Sequence, residues 1–163
     1  MAKINKLNSS VILKEYSKDF VQKSITITIG GKDYEVLVDQ KFHITKIQQM
    51  LREALKNLVE FKEEDLETII TYVTFLMIKY FTDVDVAKVE DFKEQIRVLN
   101  AMIDLEIFEK IVNAFPESET AKVNKHMMNL SAKINEFLKE NKNNKNIGGI
   151  IESEIAKLEE SAE

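Results

Sequence analysis

The amino-acid sequence predicts an α+β domain, mainly an α-helical bundle of about five helices with one β-hairpin near the N-terminus. Three observations predict it. Period-two alternation of apolar residues is confined to residues 25–39, whereas spacings of three and four govern most of the chain beyond Asp39. A single proline among 163 residues leaves long helices uninterrupted. That length suits one domain able to bury its own core, and 44% apolar with 31% charged residues places the chain among globular rather than disordered sequences.

Residues 1–20 form an N-terminal arm that mixes Lys and Asn with Ile4, Leu7, Val11 and Ile12. Their spacing is too loose to predict a helix, so the arm is expected to pack on the body or to meet a partner. The body, residues 21–140, opens with the hairpin. Ile25, Ile27 and Ile29 alternate with Thr26 and Thr28, the pattern of a half-buried strand. Gly30-Gly31 supplies the positive φ angles of a tight turn. The return strand sets Tyr34, Val36 and Val38 on one face and Glu35, Leu37 and Asp39 on the other. Leu37 marks that second face as partly covered.

Beyond Asp39 the period becomes helical. Ile44, Ile47, Leu51, Ala54 and Leu58 draw one stripe. A second helix is expected to start in the acidic KEEDLE segment and to run through Leu66, Ile69, Ile70, Val73, Leu76, Met77, Tyr80 and Phe81. It is apolar nearly all round. A membrane span needs about 20 apolar residues, and this run is shorter and contains Lys79, so it reads as the central core helix of a bundle. Asp85 is expected to cap the next helix, with Val89, Phe92, Ile96, Leu99 and Ile103 on its stripe. Ile107, Phe108, Ile111, Val112 and Phe115 come after a bend near Asp104, and Phe115-Pro116 closes that element. Ser118 is expected to cap the helix that carries Val123, Met127, Leu130, Ile134 and Phe137. Residues 141–149 read as a linker and 150–163 as a short acidic amphipathic helix, with Ile151, Ile155 and Leu158 on one face. So short a helix has to dock on something.

Chemistry is scarce. The chain has no cysteine, which excludes disulfides, thiol nucleophiles and Cys-ligated zinc or iron–sulfur sites. Its two histidines, His43 and His126, stand in no metal-binding pattern and read as boundary residues. Asp83-x-Asp85 lacks the further oxygens and the glycine of a calcium loop, so a capping turn explains it. Glu63-Glu64 and Glu159-Glu160 read as solvated faces, and Gly148-Gly149, like Gly30-Gly31, has no phosphate-loop context. Ser9-Ser10 has no nucleophile-elbow context. Met50, Met77, Met102, Met127 and Met128 lie on or beside the stripes and read as packing residues. No cofactor, metal or catalytic residue is expected, and the protein reads as a non-enzyme. Net charge is −5, and the basic residues are lysines apart from Arg52 and Arg97, which argues against nucleic acid as a partner. No membrane partner is expected either. The N-terminus lacks the apolar stretch of a secretory signal, which makes the cytoplasm the expected location.

A segment of the form I-x-I-x-I-GGK-x-Y-x-V-x-V, joined to a helical remainder in a small, acidic, cysteine-free chain, resembles the tail-assembly and virion proteins of phages and prophages of low-GC bacteria. The Lys, Asn, Ile and Glu bias fits such a genome, and the tail assembly chaperone type is similar in size and layout. The resemblance covers about residues 20–140. It implies a non-enzymatic protein-protein interaction role in phage tail or virion assembly, as a chaperone or structural component, in the host cytoplasm or in the virion. The implied partners are other phage or assembly proteins, with a homo-oligomer as a further outcome. A free-standing hairpin has two open edges, so the expected interaction residues are Ile25, Ile27, Ile29, Tyr34, Val36 and Val38, joined by Ile151, Ile155 and Leu158 of the tail. The hairpin face can equally cover the domain's own core. Two other classes fit the composition: a small cytoplasmic regulator or inhibitor that binds a host or phage protein, and an enzyme whose polar cleft is assembled from separate helices.

Overall fold

The computed structural model describes residues 7–58, 66–86 and 91–140. Along the chain these residues form α1 (Ser9–Lys18), β1 (Gln22–Ile29), β2 (Lys32–Asp39), α2 (Ile44–Leu58), α3 (Leu66–Phe81), α4 (Phe92–Asp104), α5 (Phe108–Val112) and α6 (Glu117–Glu140). This is the α+β architecture expected from the sequence: helices plus one antiparallel hairpin. The proposed helix start in KEEDLE, Val89, the linker 141–149 and the tail 150–163 lie outside the described residues.

The arm departs from expectation. Residues 9–18 are helical, because Asn8 caps them: its side chain accepts the Val11 N–H at 3.1 Å and its carbonyl accepts the Ile12 N–H at 3.1 Å.

The hairpin forms as expected. Gly30 and Gly31 have φ of 57° and 76°, the paired positive angles of a two-residue turn whose twist matches that of the strands. Ile25 opposes Val36 and Ile27 opposes Tyr34, so the apolar residues share a face. Polar pairs hold the other face: Ser24 Oγ donates to Glu35 at 2.6 Å, and Thr28 Oγ1 donates to Asp33 at 2.7 Å. Gln22 Nε2 and Lys46 Nζ both donate to the buried carboxylate of Asp39, which fastens the strand ends to α2.

Asp83 serves the hairpin rather than the next helix. Its carboxylate accepts the Leu37 N–H at 2.7 Å, and its own N–H donates to the Leu37 carbonyl at 3.1 Å. Beside it, Thr82 bridges Val38. The predicted Asp85 cap is not used by α4: Asp91, in extended conformation, accepts the Glu94 N–H at the start of that helix.

The core lies where α3 meets α2, α4 and α5, with α6 against α2. Tyr72, Val73, Phe75, Leu76, Met77, Ile78 and Phe81 make α3 the buried centre, as its sequence predicts. Phe42 stacks on Phe81 with ring centroids 3.8 Å apart and meets Phe115 edge-on at 5.3 Å. The α2 stripe buries Ile47, Leu51 and Ala54, but Ile44, in the first turn, is exposed. On α4 Leu99 is buried and Phe92 and Ile96 pack half-buried against the core, as the stripe predicts; Gln95 and Met102 are buried beside them, and Ile103 is exposed. Gln95 is buried among polar partners, Tyr72 and Glu53.

The bend near Asp104 is a helix stop. Ile107 N–H donates to the Met102 carbonyl and Glu106 N–H to that of Ile103, with Glu106 left-handed at φ 56°. Buried Met102 and Ile107 supply the apolar contact that accompanies this stop. The last helix starts at Glu117, before the predicted Ser118 cap, with the Pro116 carbonyl accepting the Glu119 and Thr120 N–H groups.

Candidate interaction surface

The apolar face of the hairpin is spent on the protein's own core. Ile27, Val36 and Val38 are buried there, and Ile25 and Ile29 are half-buried against it. Of the predicted strand residues only Tyr34 is substantially exposed, at 48%. Ile151, Ile155 and Leu158 lie outside the described residues.

The segment expected to be a loose arm presents a surface instead. Helix α1 has no buried residue, yet it carries Val11, Ile12, Leu13 and Tyr16. At 100° per residue, Ile12, Leu13 and Tyr16 fall on one face. Leu13 is 65% exposed and Ile12 52%, and the flanking Leu7, Phe20 and Val21 are each more than half exposed. Ile44, just after the β2–α2 loop, is exposed at 56%. Exposed apolar residues concentrated in this way mark a contact surface more often than scattered ones do.

Ten residues cannot hold a helix in water by propensity alone, so local contacts fix α1. Tyr16, Phe20 and His43 form a three-ring cluster, with centroids 4.6 to 5.1 Å apart. Lys41 pairs with Asp19 at 2.7 Å, and that hydrogen bond and charge hold the exposed Asp19 carboxyl below its ordinary value. Lys18 pairs with Glu15 in the last turn. The aromatic ends of the arm are thus tied to the body, while its aliphatic residues remain outside. His43 is therefore part of an aromatic clasp. Asn8, with the apolar run from Val11 after it, was the signal available in the sequence.

A second cluster lies between α2, α3 and α4. The Glu53 carboxylate accepts Lys79 Nζ at 2.7 Å, Gln95 Nε2 at 2.7 Å and Tyr80 OH at 2.8 Å. Tyr72 OH accepts Asn57 Nδ2 and donates to Gln95 Oε1, both at 2.6 Å. Burial pushes the Tyr72 hydroxyl up to about 12, and burial together with Glu53 raises that of Tyr80 further. Both phenols stay protonated at neutral pH and act as hydrogen-bond donors. The groups satisfy one another, which suits a network that fixes helix register.

Among the described residues no group of three or more His, Cys, Asp or Glu side chains is placed to hold a metal ion. Nor is any described helix long and apolar enough to cross a membrane. Of the methionines, Met50, Met77 and Met102 are buried, Met127 packs at the edge of the core, and Met128 is exposed.

No curated protein and no solved structure matches the sequence. A family model does match, that of YomO, and it spans residues 10–162, from α1 through the tail. The protein therefore belongs to the YomO family, a phage-related family.

Proposed function

We propose that the protein is a non-enzymatic interaction component of phage tail or virion assembly, a tail assembly chaperone or a structural part, that engages another phage protein through the apolar face of α1. The observation that supports this most is a capped helix held in place with its aliphatic residues outside. Leaving Leu7, Ile12 and Leu13 in water lowers solubility, and a partner surface recovers that burial at about 25 cal/mol per Å² before association costs. The phage-related family fits this reading, and assembly would take place in the host cytoplasm.

The test is co-expression with the tail and virion proteins encoded by the same phage. Copurification of one of them is expected, and it should be lost in the double variant Ile12→Glu, Leu13→Glu. That variant should melt within about 0.5 kcal/mol of the parent, since both side chains are exposed. A parent chain that binds none of these proteins, but forms a stoichiometric complex with a host protein, would replace assembly with the regulator reading.

A further inference from the structure

We propose that residues 150–163 dock on α1 of the same chain and cover its apolar face until a partner displaces them. The inference rests on the reading of α1 as a docking surface, and charge, pattern and reach support it.

Charge comes first. Residues 1–20 carry four lysines against two acids, a net +2, whereas residues 150–163 carry five glutamates against one lysine, a net −4. Arm and tail are thus opposite in sign within a chain of net −5. The pattern is complementary too. The tail sequence spaces Ile151, Ile155 and Leu158 four and three apart, which forms one stripe if helical, and α1 offers Ile12, Leu13 and Tyr16 on one face. Lysines also accumulate from Lys122 to Lys145, where Met128 is exposed, so position 128 provides the comparison site for α1.

Reach permits the contact within one chain. The start of α6 touches the arm's anchor, because Glu119 accepts the Phe42 N–H at 2.8 Å and the next residue, His43, meets Tyr16 and Phe20. From Glu119 to Glu140 the helix runs about 32 Å at 1.5 Å per residue. The nine residues 141–149 extend to about 30 Å. A tail leaving the far end of α6 can therefore return to α1 of its own chain.

The lack of cysteine makes the test clean. In the full-length chain, Leu13→Cys is combined with Ile155→Cys, and Met128→Cys with Ile155→Cys serves as the comparison; both are oxidised at micromolar concentration with copper phenanthroline. The expected result is an intrachain disulfide for the 13–155 pair, at least several-fold faster than for the 128–155 pair. A 13–155 rate no faster than the comparison overturns the proposal, and so does a disulfide that forms only between two chains.

A second measurement separates this inference from the reading beneath it. In full-length Ile155→Glu, Leu158→Glu, the freed face should bind the phage partner about tenfold more tightly if the tail occupies it nine-tenths of the time. Partner binding that needs Leu13 but ignores the tail substitutions sinks the tail proposal alone. A 13–155 disulfide in a chain that binds no phage protein sinks the assembly reading and leaves the intramolecular contact standing.

Discussion

Replacing Glu53 by alanine should be among the most damaging single changes in this protein. Its carboxylate receives the Lys79 ammonium, the Gln95 amide and the Tyr80 hydroxyl within 2.8 Å. The side chains of Lys79 and Glu53 are only 11% and 17% exposed, and Gln95 is fully buried. Removing the carboxylate strands a nearly buried cation, which costs about 3–5 kcal/mol. The lost Gln95 contact belongs to the same network, so its cost of about 1–3 kcal/mol overlaps with the first rather than adding to it. The expected total is about 4 kcal/mol.

Urea unfolding followed by circular dichroism measures it. With a slope near 2 kcal/mol per M, the midpoint should fall by about 2 M. Adding Lys79→Met to Glu53→Leu should recover most of the loss, because an apolar pair of similar volume replaces a buried ion pair at little cost. A loss below about 1 kcal/mol for Glu53→Ala, or one that disappears in 1 M salt, would show that the cluster is hydrated and contributes no more than a surface pair.

Phe42→Ala opens a void between Phe81 and Phe115 and should cost about 3–5 kcal/mol by the same denaturation assay. Glu106→Gly relieves a left-handed residue at the end of α4 and should raise stability by roughly 0.5–1 kcal/mol, after the greater entropy of unfolded glycine is set against the strain. Burial pushes the Glu119 carboxyl up, but Lys122, the Phe42 N–H and the charges of Lys122 and Lys41 together hold it below its ordinary 4.5. A lowered value means stability that is present above pH 4.5 and lost as pH falls through the folded value; Glu119→Gln should flatten that acid limb and cost about 1 kcal/mol at pH 7, read from urea midpoints across pH.

Most of the scaffold could be read from local pattern, because period and turn chemistry are local. The Gly30-Gly31 turn, the Ile47, Leu51 and Ala54 stripe and the buried α3 helix are all of this kind. The features that escaped depend on distant partners. Gln95 is buried because Glu53 and Tyr72, 42 and 23 residues away, receive it, and no periodicity rule places a glutamine inward. Asp83 resembles a helix cap in sequence, yet its partner is Leu37, 46 residues earlier. The α1 helix was missed for a different reason: Val11, Ile12 and Leu13 are consecutive, which blurs the three-and-four spacing, and its cap, Asn8, lies outside the apolar run. Pattern alone left the hairpin face open to a partner or to the core, and Ile27, Val36 and Val38 are buried in the core.

The contact between Leu37 and Asp83 gives the sheet a direction. In an antiparallel pair, outward main-chain groups alternate, and the Leu37 groups already belong to the 82–83 segment. Further along that edge Asp33 and Glu35 present acids to any approaching strand. The β1 edge carries no strand among the described residues, and there Gln22, Ser24, Thr26 and Thr28 turn their amides outward. The hairpin is thus monovalent toward other strands. Two copies joined through β1 would close at four strands with both rims blocked, so such pairing would terminate as a dimer and could not propagate into a filament.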